Sequence, residues 1–322
     1  MKFSRLAIVF RTTAILGLLS LYLMPIWPLA AQNQPASQGL TISPFLLERQ
    51  LQKGQITREI IEVTNTSNQT LPVDLTVNDF VPVGDNGQQT FLEVGQRETQ
   101  FSLASWIHIK NQPKLVLGPK EKTTVEFEIS VPQDAEDGGH YGAILFTFQA
   151  GNLPGTNVAV VQKLGAIILA KLGKVNEEAS ITGFKTGQQL YSQPPVDFLV
   201  KFKNTGNVHV KPRGGITVTN LFGRKVGTVL INQNANNVLP NSERTFEGKW
   251  QEKFAFGRFK AEGEFVYGET GQLLTAQAVF WVLPWKTVLA FGLGGFLILA
   301  LLVYGVKAYN RWLIAKVSGK RK

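Results

Sequence analysis

Hydrophobic and polar residues alternate with a period of two along much of the chain before residue 287. The alternation is clearest in residues 56–63 and 123–131, and clusters rich in Asn, Gly, Pro or Asp interrupt it. Such alternation predicts half-buried β-strands, and many short strands separated by turns are typical of sandwiches or barrels. Residues 143–148 and 158–172 are more continuously apolar, so we expect strands that are covered on both faces.

Three short sequence elements occur in the same order in both halves of this β-rich region. The matched pairs are 65–68 with 204–207, 117–121 with 239–243, and 139–143 with 257–261. Repetition in register indicates two copies of one structural unit. We therefore predict an all-β fold of two tandem immunoglobulin-like β-sandwich domains, at residues 40–175 and 176–284.

An aromatic residue stands at the same place in each copy of the third element, Tyr141 in the first and Phe259 in the second. In immunoglobulin-like sandwiches, a Tyr near the start of a late strand fixes the corner between the sheets by a hydrogen bond to backbone upstream. We expect Tyr141 to pack and to form this bond. Phe259 has no hydroxyl and is expected only to pack.

The N-terminus has the pattern of a secretory signal. Basic residues precede the apolar stretch 13–24, two prolines follow, and small residues end at Ala31. We predict a signal peptide over residues 1–31, cleaved after Ala31, and a polar tether over 32–39. An uncleaved membrane anchor is the alternative, although the apolar run is shorter than the ~20 residues that span a bilayer.

The C-terminus predicts a membrane-spanning helix. Residues 287–306 are uncharged and, at ~1.5 Å per residue, would span ~30 Å, the thickness of a hydrocarbon core. Aromatic residues flank this stretch on both sides, and the tail 307–322 carries six basic residues and no acidic one. By the positive-inside rule, we expect a single-pass membrane protein with a cytoplasmic C-terminus and extracellular N-terminal domains.

The net charge of +10 is confined to the two ends of the chain. Outside residues 1–11 and 307–322, 24 basic residues face 23 acidic ones. This distribution argues for membrane topology and against nucleic-acid binding. The chain has no cysteine, which excludes disulfides, thiol catalysis and thiolate metal sites.

Candidate catalytic chemistry is sparse, so we expect neither an enzyme nor a cofactor. The three histidines, His108, His140 and His209, have no second His or Cys at metal-ligand spacing. The acidic segment Asp134–Asp137 offers oxygen ligands for a hard cation, but such Asp/Gly clusters are more often turns. Both interpretations of that segment stay open.

Basic residues in the second half suggest a binding patch. The set comprises Lys201, Lys203, Lys211, Arg213, Arg224 and Lys225. Such a patch would suit anionic envelope polymers or an acidic partner. The alternative is a solvated strand face, since isolated lysines also protect sheet edges from aggregation.

The first half resembles a family of bacterial surface proteins. Residues 43–45, 53–55 and 62–67, and above all the segment 138–146 (GGHYGAILF), are similar to the WxL-interacting protein family. The resemblance implies two immunoglobulin-like domains, a C-terminal helix and a basic tail. It also implies a link between residues 40–172 and peptidoglycan, and it transfers no individual ligand contact.

Two functions follow as hypotheses. The first is a non-enzymatic, membrane-anchored surface protein that binds cell-wall polymer, surface proteins or both. The alternative is a membrane-tethered assembly factor that lends a strand to exported subunits. An envelope hydrolase is a third possibility, but the chain contains no recognisable catalytic motif.

Overall fold

The structure is a computed structural model that describes residues 39–95, 100–110, 113–152 and 158–318. All of these belong to one compact unit, Gln38–Lys322. The predicted signal peptide, its cleavage after Ala31 and nearly all of the tether lie outside the described residues.

Ten strands build the first sandwich. They are β1 (Leu40–Ser43), β2 (Leu46–Leu51), β3 (Ile56–Asn65), β4 (Leu71–Val83), β5 (Gln88–Glu93), β6 (Ile107–Ile109), β7 (Lys114–Leu117), β8 (Lys122–Ser130), β9 (Gly138–Asn152) and β10 (Ala159–Leu172). One sheet has the order β1-β3-β8-β6. The other has the order β2-β10-β9-β4-β5, with β7 also pairing β4. A 3-10 turn, Ala104–Trp106, precedes β6.

The core of the first sandwich lies between these two sheets. The alternating residues of β3 and β8 supply one side, including Ile61 and Phe127, and β9 and β10 supply the other, including Phe146 and Ile168. All four of these side chains are fully buried. The period-two pattern of the sequence therefore records which face of each strand meets the core.

Eight strands build the second sandwich. They are β11 (Ala179–Thr186), β12 (Leu190–Tyr191), β13 (Val196–Asn204), β14 (Arg213–Asn220), β15 (Lys225–Ile231), β16 (Ser242–Trp250), β17 (Gly257–Tyr267) and β18 (Gln272–Val282). The sheets have the orders β11-β13-β16 and β12-β18-β17-β14-β15. Their shared core is rich in aromatic rings, including Phe198, Phe202, Phe265 and Phe280.

A buried asparagine occupies the same structural position in each sandwich. Asn65 ends β3, and its Nδ2 donates to the carbonyls of Leu117 and Gly118 at 3.2 and 2.8 Å. Asn204 ends β13, and its Nδ2 donates to the carbonyl of Val238 at 2.8 Å. The asparagine therefore joins the first and second sequence elements of the repeat. In the first sandwich it bonds to residues of the second element itself, and in the second sandwich it bonds to the residue just before that element.

One α-helix, α1 (Trp285–Ser318), follows the second sandwich. Its stretch Trp285–Ile314 is long and apolar enough to cross a membrane, and none of its residues is buried by the rest of the chain. The helix begins two residues before the predicted span and continues far into the predicted tail, because residues 307–318 contain no proline and several strong helix formers.

Candidate functional site

The second sandwich packs against the outer face of the six-stranded sheet of the first. Strand β9 alternates between the two faces: Ile144 and Phe146 enter the core, whereas Tyr141, Ala143 and Leu145 point outward. The outward residues form a separate buried cluster in which the second sandwich participates. Its members are Phe80, Tyr141, Ala143, Leu145, Leu169 and Leu239. Both faces of β9 are therefore covered, as its apolar run predicts. The same expectation for residues 158–172 is wrong in its first part, because residues 158, 159 and 161–163 are exposed.

A hydrogen bond between Tyr141 and His209 crosses this junction. The Tyr141 hydroxyl accepts a bond from the His209 backbone N–H at 2.8 Å and lies 3.3 Å from His209 Nδ1. Each residue is only 3% exposed. Burial disfavours the charged forms, so it raises the pKa of Tyr141 and lowers the pKa of His209 to about 4.

Asn207 holds the two sandwiches together at the backbone level. The Gly139 N–H donates to the Asn207 carbonyl at 2.8 Å, and Asn207 Nδ2 donates to the Asp137 carbonyl at 3.3 Å. Gly138 has φ +135°, and a Cβ there would lie 2.8 Å from the Asn207 carbonyl oxygen. Glycine is therefore required at this position for both conformation and space.

Asp85 provides a third polar contact between the sandwiches. Its carbonyl accepts a bond from the Thr245 N–H at 2.6 Å, and its carboxylate accepts one from the Thr245 hydroxyl at 3.0 Å. The Lys201 ammonium lies 2.5 Å from the same carboxylate. The bonds from Lys201 and Thr245 hold the pKa of the Asp85 carboxyl below its usual value.

A charged cleft of about 210 Å³ opens between the sandwiches beside His209. Its walls carry three acidic and three basic side chains, namely Glu48, Glu177, Glu269, Lys171, Lys211 and Arg213. Lys171 pairs with Glu177 and Glu269 at 3.2 and 2.9 Å, and Lys211 pairs with Glu48. Because most of these charges are already paired, the cleft acts first as a polar joint between the sandwiches.

Strand β10 carries an open edge. It pairs with β9 almost throughout, but with β2 only over Ile167–Leu172, since the chain joins this sheet at Leu46 after leaving β1 in the other sheet. Among the described strands, none pairs with the other side of residues 159–166. The Ile167 N–H donates away from β9, to the Phe45 carbonyl at 2.8 Å.

The direction of that bond identifies the backbone groups on the open edge. Backbone groups of alternate residues in a strand point to the same side, so those of Val161, Lys163 and Gly165 face the open side. Val161 is 62% exposed and Lys163 is exposed. The edge lies in the half of β10 remote from Lys171, which contacts the second sandwich.

The two predicted corner residues have different surroundings. Phe259 packs inside its own sandwich, with its ring 5.2 Å from Trp250 and stacked on Phe280 at 5.5 Å. Tyr141 forms its hydroxyl bond with a residue downstream, in the other sandwich, instead of with backbone upstream. The two aromatics are thus equivalent in their position along the strand, but they point to different faces of the sheet.

Of the two interpretations of the basic residues, the structure does not support a single binding patch. Lys201 pairs with Asp85 and Lys211 with Glu48, while Arg213 lines the cleft. Arg224 and Lys225 lie at the far end of β14 and β15. The strands and turns separate residues that are close in sequence, so no single surface collects them.

Asp137 of the acidic segment and His140 make contacts within the fold, as His209 does at the junction, whereas His108 is exposed on β6. Asp137 accepts bonds from Lys53 at 3.0 Å and from the Lys174 N–H at 3.1 Å. The buried His140 ring lies within 3.0 Å of the carbonyl oxygens of Ser102 and Glu136 and packs on Trp106. Within the described ranges, no three His, Cys, Asp or Glu side chains form a metal-binding group.

Sequence analysis alone does not identify the junction residues Asp85, Asn207 and Leu239. The continuous apolar run in β9 signals that something covers its outer face, but it does not say what. Asn207 and Asp85 lie in turn sequences, where Asn and Asp are common for local reasons. Only their tertiary contacts distinguish them from ordinary turn residues.

No protein-family model matches the chain, and no curated protein is similar to it in sequence. Several solved structures of fimbrial chaperones are similar in layout. A chaperone–tip adhesin complex of CFA/I fimbriae biogenesis aligns with 74% of this chain and 98% of that one, at 11% identity and a TM-score of 0.40. The class 5 fimbriae chaperone CfaA aligns with 76% and 100%, at 12% identity and a TM-score of 0.39.

A third similar structure is the CsuC–CsuE chaperone–tip adhesion subunit complex of Acinetobacter baumannii. It covers 74% of this chain and 97% of that one, at 14% identity and a TM-score of 0.36. TM-scores this low do not support a conclusion about the function of this chain.

The predicted resemblance to the WxL-interacting protein family is wrong. No family model matches the chain, so none supports the resemblance. The link of residues 40–172 to peptidoglycan depended on that resemblance and is withdrawn with it. The motif 138–146 has a structural explanation instead, because it forms the junction strand β9.

Proposed function

We propose that this chain is a membrane-anchored, non-enzymatic assembly factor that binds an exported polypeptide along the open edge of β10. Of the two functions that the sequence left open, this is the alternative one. The observation that supports it is the row of backbone groups at residues 159–166, which have no strand partner on one side within the described part of the chain.

An open edge is a template for adding a strand. Its N–H and C=O groups supply main-chain hydrogen bonds, and alternate side chains supply selectivity. Most folds protect such edges because they promote aggregation. Here the edge contains three valine or leucine side chains that are exposed or half-buried, namely Val160, Val161 and Leu164. A client with an unpaired strand of its own would complete the sheet.

The junction of the sandwiches provides a firm support for this edge. The buried Tyr141–His209 bond, the Asn207 contacts and the paired charges of the cleft all fasten the six-stranded sheet to the second sandwich. The hydrogen-bonding capacity of the junction is largely used within the chain. The backbone groups on the open edge of β10 are therefore the better candidate site for binding a partner.

The helix α1 supplies the proposed anchor. An apolar stretch such as Trp285–Ile314, with no residue buried, needs lipid to cover it. We propose that its basic C-terminal end lies in the cytoplasm and that the sandwiches lie outside the membrane. We also propose that residues 1–31 direct export and are removed after Ala31, and that residues 40–175 and 176–284 are separate folding domains.

The edge is tested by removing one outward N–H. The variant Lys163→Pro lacks the donor on the open side, and proline is tolerated at an edge where its nitrogen faces outward. Its matched control, Lys163→Ala, keeps that donor. We expect co-purification of the client with the full chain from cells to fall about tenfold for Lys163→Pro relative to Lys163→Ala. Equal recovery of the client with both variants would contradict the proposal.

A further inference from the structure

One end of the second sandwich adjoins the start of α1. In the five-stranded sheet, Gly257 pairs with Val282, and two residues further in Phe259 pairs with both Asn220 and Phe280. The β14–β15 turn, the β16–β17 loop and the end of β18 therefore share this end of the sheet. We call it the helix-proximal tip, comprising residues 220–225, 251–258 and 281–282.

Large apolar side chains are exposed at the helix-proximal tip. Phe222 is 89% exposed, Phe254 70% and Phe256 57%. Leu221 and Trp281 are exposed as well. Single exposed apolar residues are ordinary on protein surfaces, but a group of aromatic residues on adjacent loops marks an interaction site.

Positive charge surrounds these aromatic residues. The loops of the tip carry Arg224, Lys225, Lys253 and Arg258, all exposed, against one acidic residue, Glu252. A cleft of about 450 Å³ lies between the two loops, with Arg224 and Lys225 on one side and Phe254 and Phe256 on the other. Aromatic side chains with basic neighbours suit the interface of a membrane that contains anionic lipid.

The connection to α1 brings the tip close to the membrane. Only Leu283 and Pro284 separate β18 from the helix, and the Leu283 N–H is bonded to the Tyr191 carbonyl at 2.7 Å. Two extended residues span only ~7 Å. If α1 crosses the bilayer from Trp285, the tip must lie at the level of the lipid headgroups.

We infer that the helix-proximal tip rests in the membrane interface, with Phe222, Phe254 and Phe256 among the lipid headgroups and the basic residues on anionic phosphates. This inference depends on the membrane anchoring proposed above. It gives the second sandwich a second attachment to the membrane besides α1. The first sandwich contacts the opposite end of this sheet, near Tyr267, so it stands roughly 35 Å further out.

The absence of cysteine from the chain allows a direct test with single introduced cysteines. The variants Phe222→Cys and Phe254→Cys place a fluorophore at the tip. Leu273→Cys, which is 61% exposed at the other end of β18, is the matched control. Leu297→Cys, in the middle of α1, reports whether the helix is in lipid.

Each labelled full-length chain is reconstituted into vesicles of phosphatidylcholine and phosphatidylglycerol that contain a headgroup-nitroxide lipid or a chain-nitroxide lipid. We expect headgroup nitroxides to quench the probes at 222 and 254 and not the probe at 273, and chain nitroxides to quench the probe at 297. Quenching at 297 with equal, negligible quenching at 222, 254 and 273 would overturn the inference while leaving the anchor intact. That result is also expected if the tip instead binds a second copy or another protein. No quenching at 297 would overturn the anchor and the inference together.

The role of the basic residues is tested in the same vesicles. The double variant Arg224→Gln with Lys225→Gln should lower quenching at 222 to the level found in pure phosphatidylcholine. The control pair Lys174→Gln with Lys203→Gln, at the end of the sandwich next to the junction, should leave it unchanged. Equal effects of the two pairs, or no effect of either, would overturn the assignment of anionic lipid to Arg224 and Lys225.

Discussion

The Tyr141 hydroxyl, on the outer face of the first sandwich, accepts a hydrogen bond from the backbone N–H of His209 in the second. The two residues are 68 positions apart in the chain and both are buried. The ring of Tyr141 belongs to the apolar cluster that Leu239 completes. This pair therefore links the polar and the apolar parts of the junction.

Removing that hydroxyl should destabilise the protein. In Tyr141→Phe the His209 N–H stays buried without its acceptor, so we expect the free energy of unfolding to fall by about 1–3 kcal/mol. Urea unfolding of the full chain in detergent, followed by tryptophan fluorescence, measures this change. Tyr304→Phe, at an exposed position of α1, is the control and should have no comparable effect. Equal stability of the two variants would contradict the assigned role of Tyr141.

The stability of the protein should depend on pH through His209. Its pKa of about 4 in the folded protein lies below the ordinary value of 6.5, so between these values the unfolded chain binds a proton that the folded one does not. The stability that neutral His209 contributes is therefore fully present above pH 6.5. It is lost as pH falls toward 4, which lowers the free energy of unfolding by about 3 kcal/mol in all.

The variant His209→Gln isolates this contribution from other titrating groups. The stability advantage of the natural protein over the variant should shrink from pH 7 to pH 4. The reason is that only the natural protein loses the stability contributed by neutral His209. Parallel pH profiles of the two proteins would show that His209 does not titrate as described.

The buried asparagines should be essential to their own sandwiches. Asn204→Ala removes donors to the carbonyls of Val208 and Val238 and the acceptor for the Gly206 N–H, and these groups stay buried. We expect a loss of about 3 kcal/mol in unfolding free energy. Asn68→Ala, at an exposed turn position, should be nearly neutral in the same denaturation experiment. A similar small effect of both substitutions would refute this role.

Gly138 should tolerate no side chain, for reasons of space as well as conformation. Gly138→Ala places a Cβ against the Asn207 carbonyl and should cost about 1–3 kcal/mol more than Gly151→Ala. Gly151 shares a positive φ, +122°, but a Cβ there meets open space, so it controls for the backbone term. Thermal unfolding of the two variants measures the difference. Equal melting temperatures of the two variants would show that the close approach of residue 138 to Asn207 does not limit stability.

Much of the architecture could be predicted from the sequence because it depends on local patterns. Alternation of apolar and polar residues predicts the strands. The uncharged stretch 287–306 predicts a helix, and α1 includes all of these residues. The repeat predicts two similar units, and the shared hydrogen bonding of Asn65 and Asn204 agrees with it. These features arise from residues near one another in the chain, or from a motif that occurs twice.

The repeat does not determine which way every matched residue points. Phe259 faces the core of its own sandwich, whereas Tyr141 faces outward to the other. Successive residues of a strand point to opposite faces, so an offset of one residue between two matched strands exchanges inside for outside. A sequence match tolerates such an offset, but packing does not.

The sequence by itself determined that the region between the N-terminal apolar stretch and residue 287 is rich in β-strands, that β9 is covered on both faces and that an apolar helix follows the strands. Only the tertiary structure decided that Leu239, Asn207 and His209 provide the second cover of β9. It also decided that residues 159–166 of β10 have no second strand partner among the described residues. The physical reason is that an apolar or alternating pattern shows that a side chain is buried, whereas its partner is set by long-range packing. For the same reason, exposed Phe222 and Phe254 could be grouped only after the strands had brought their loops to one end.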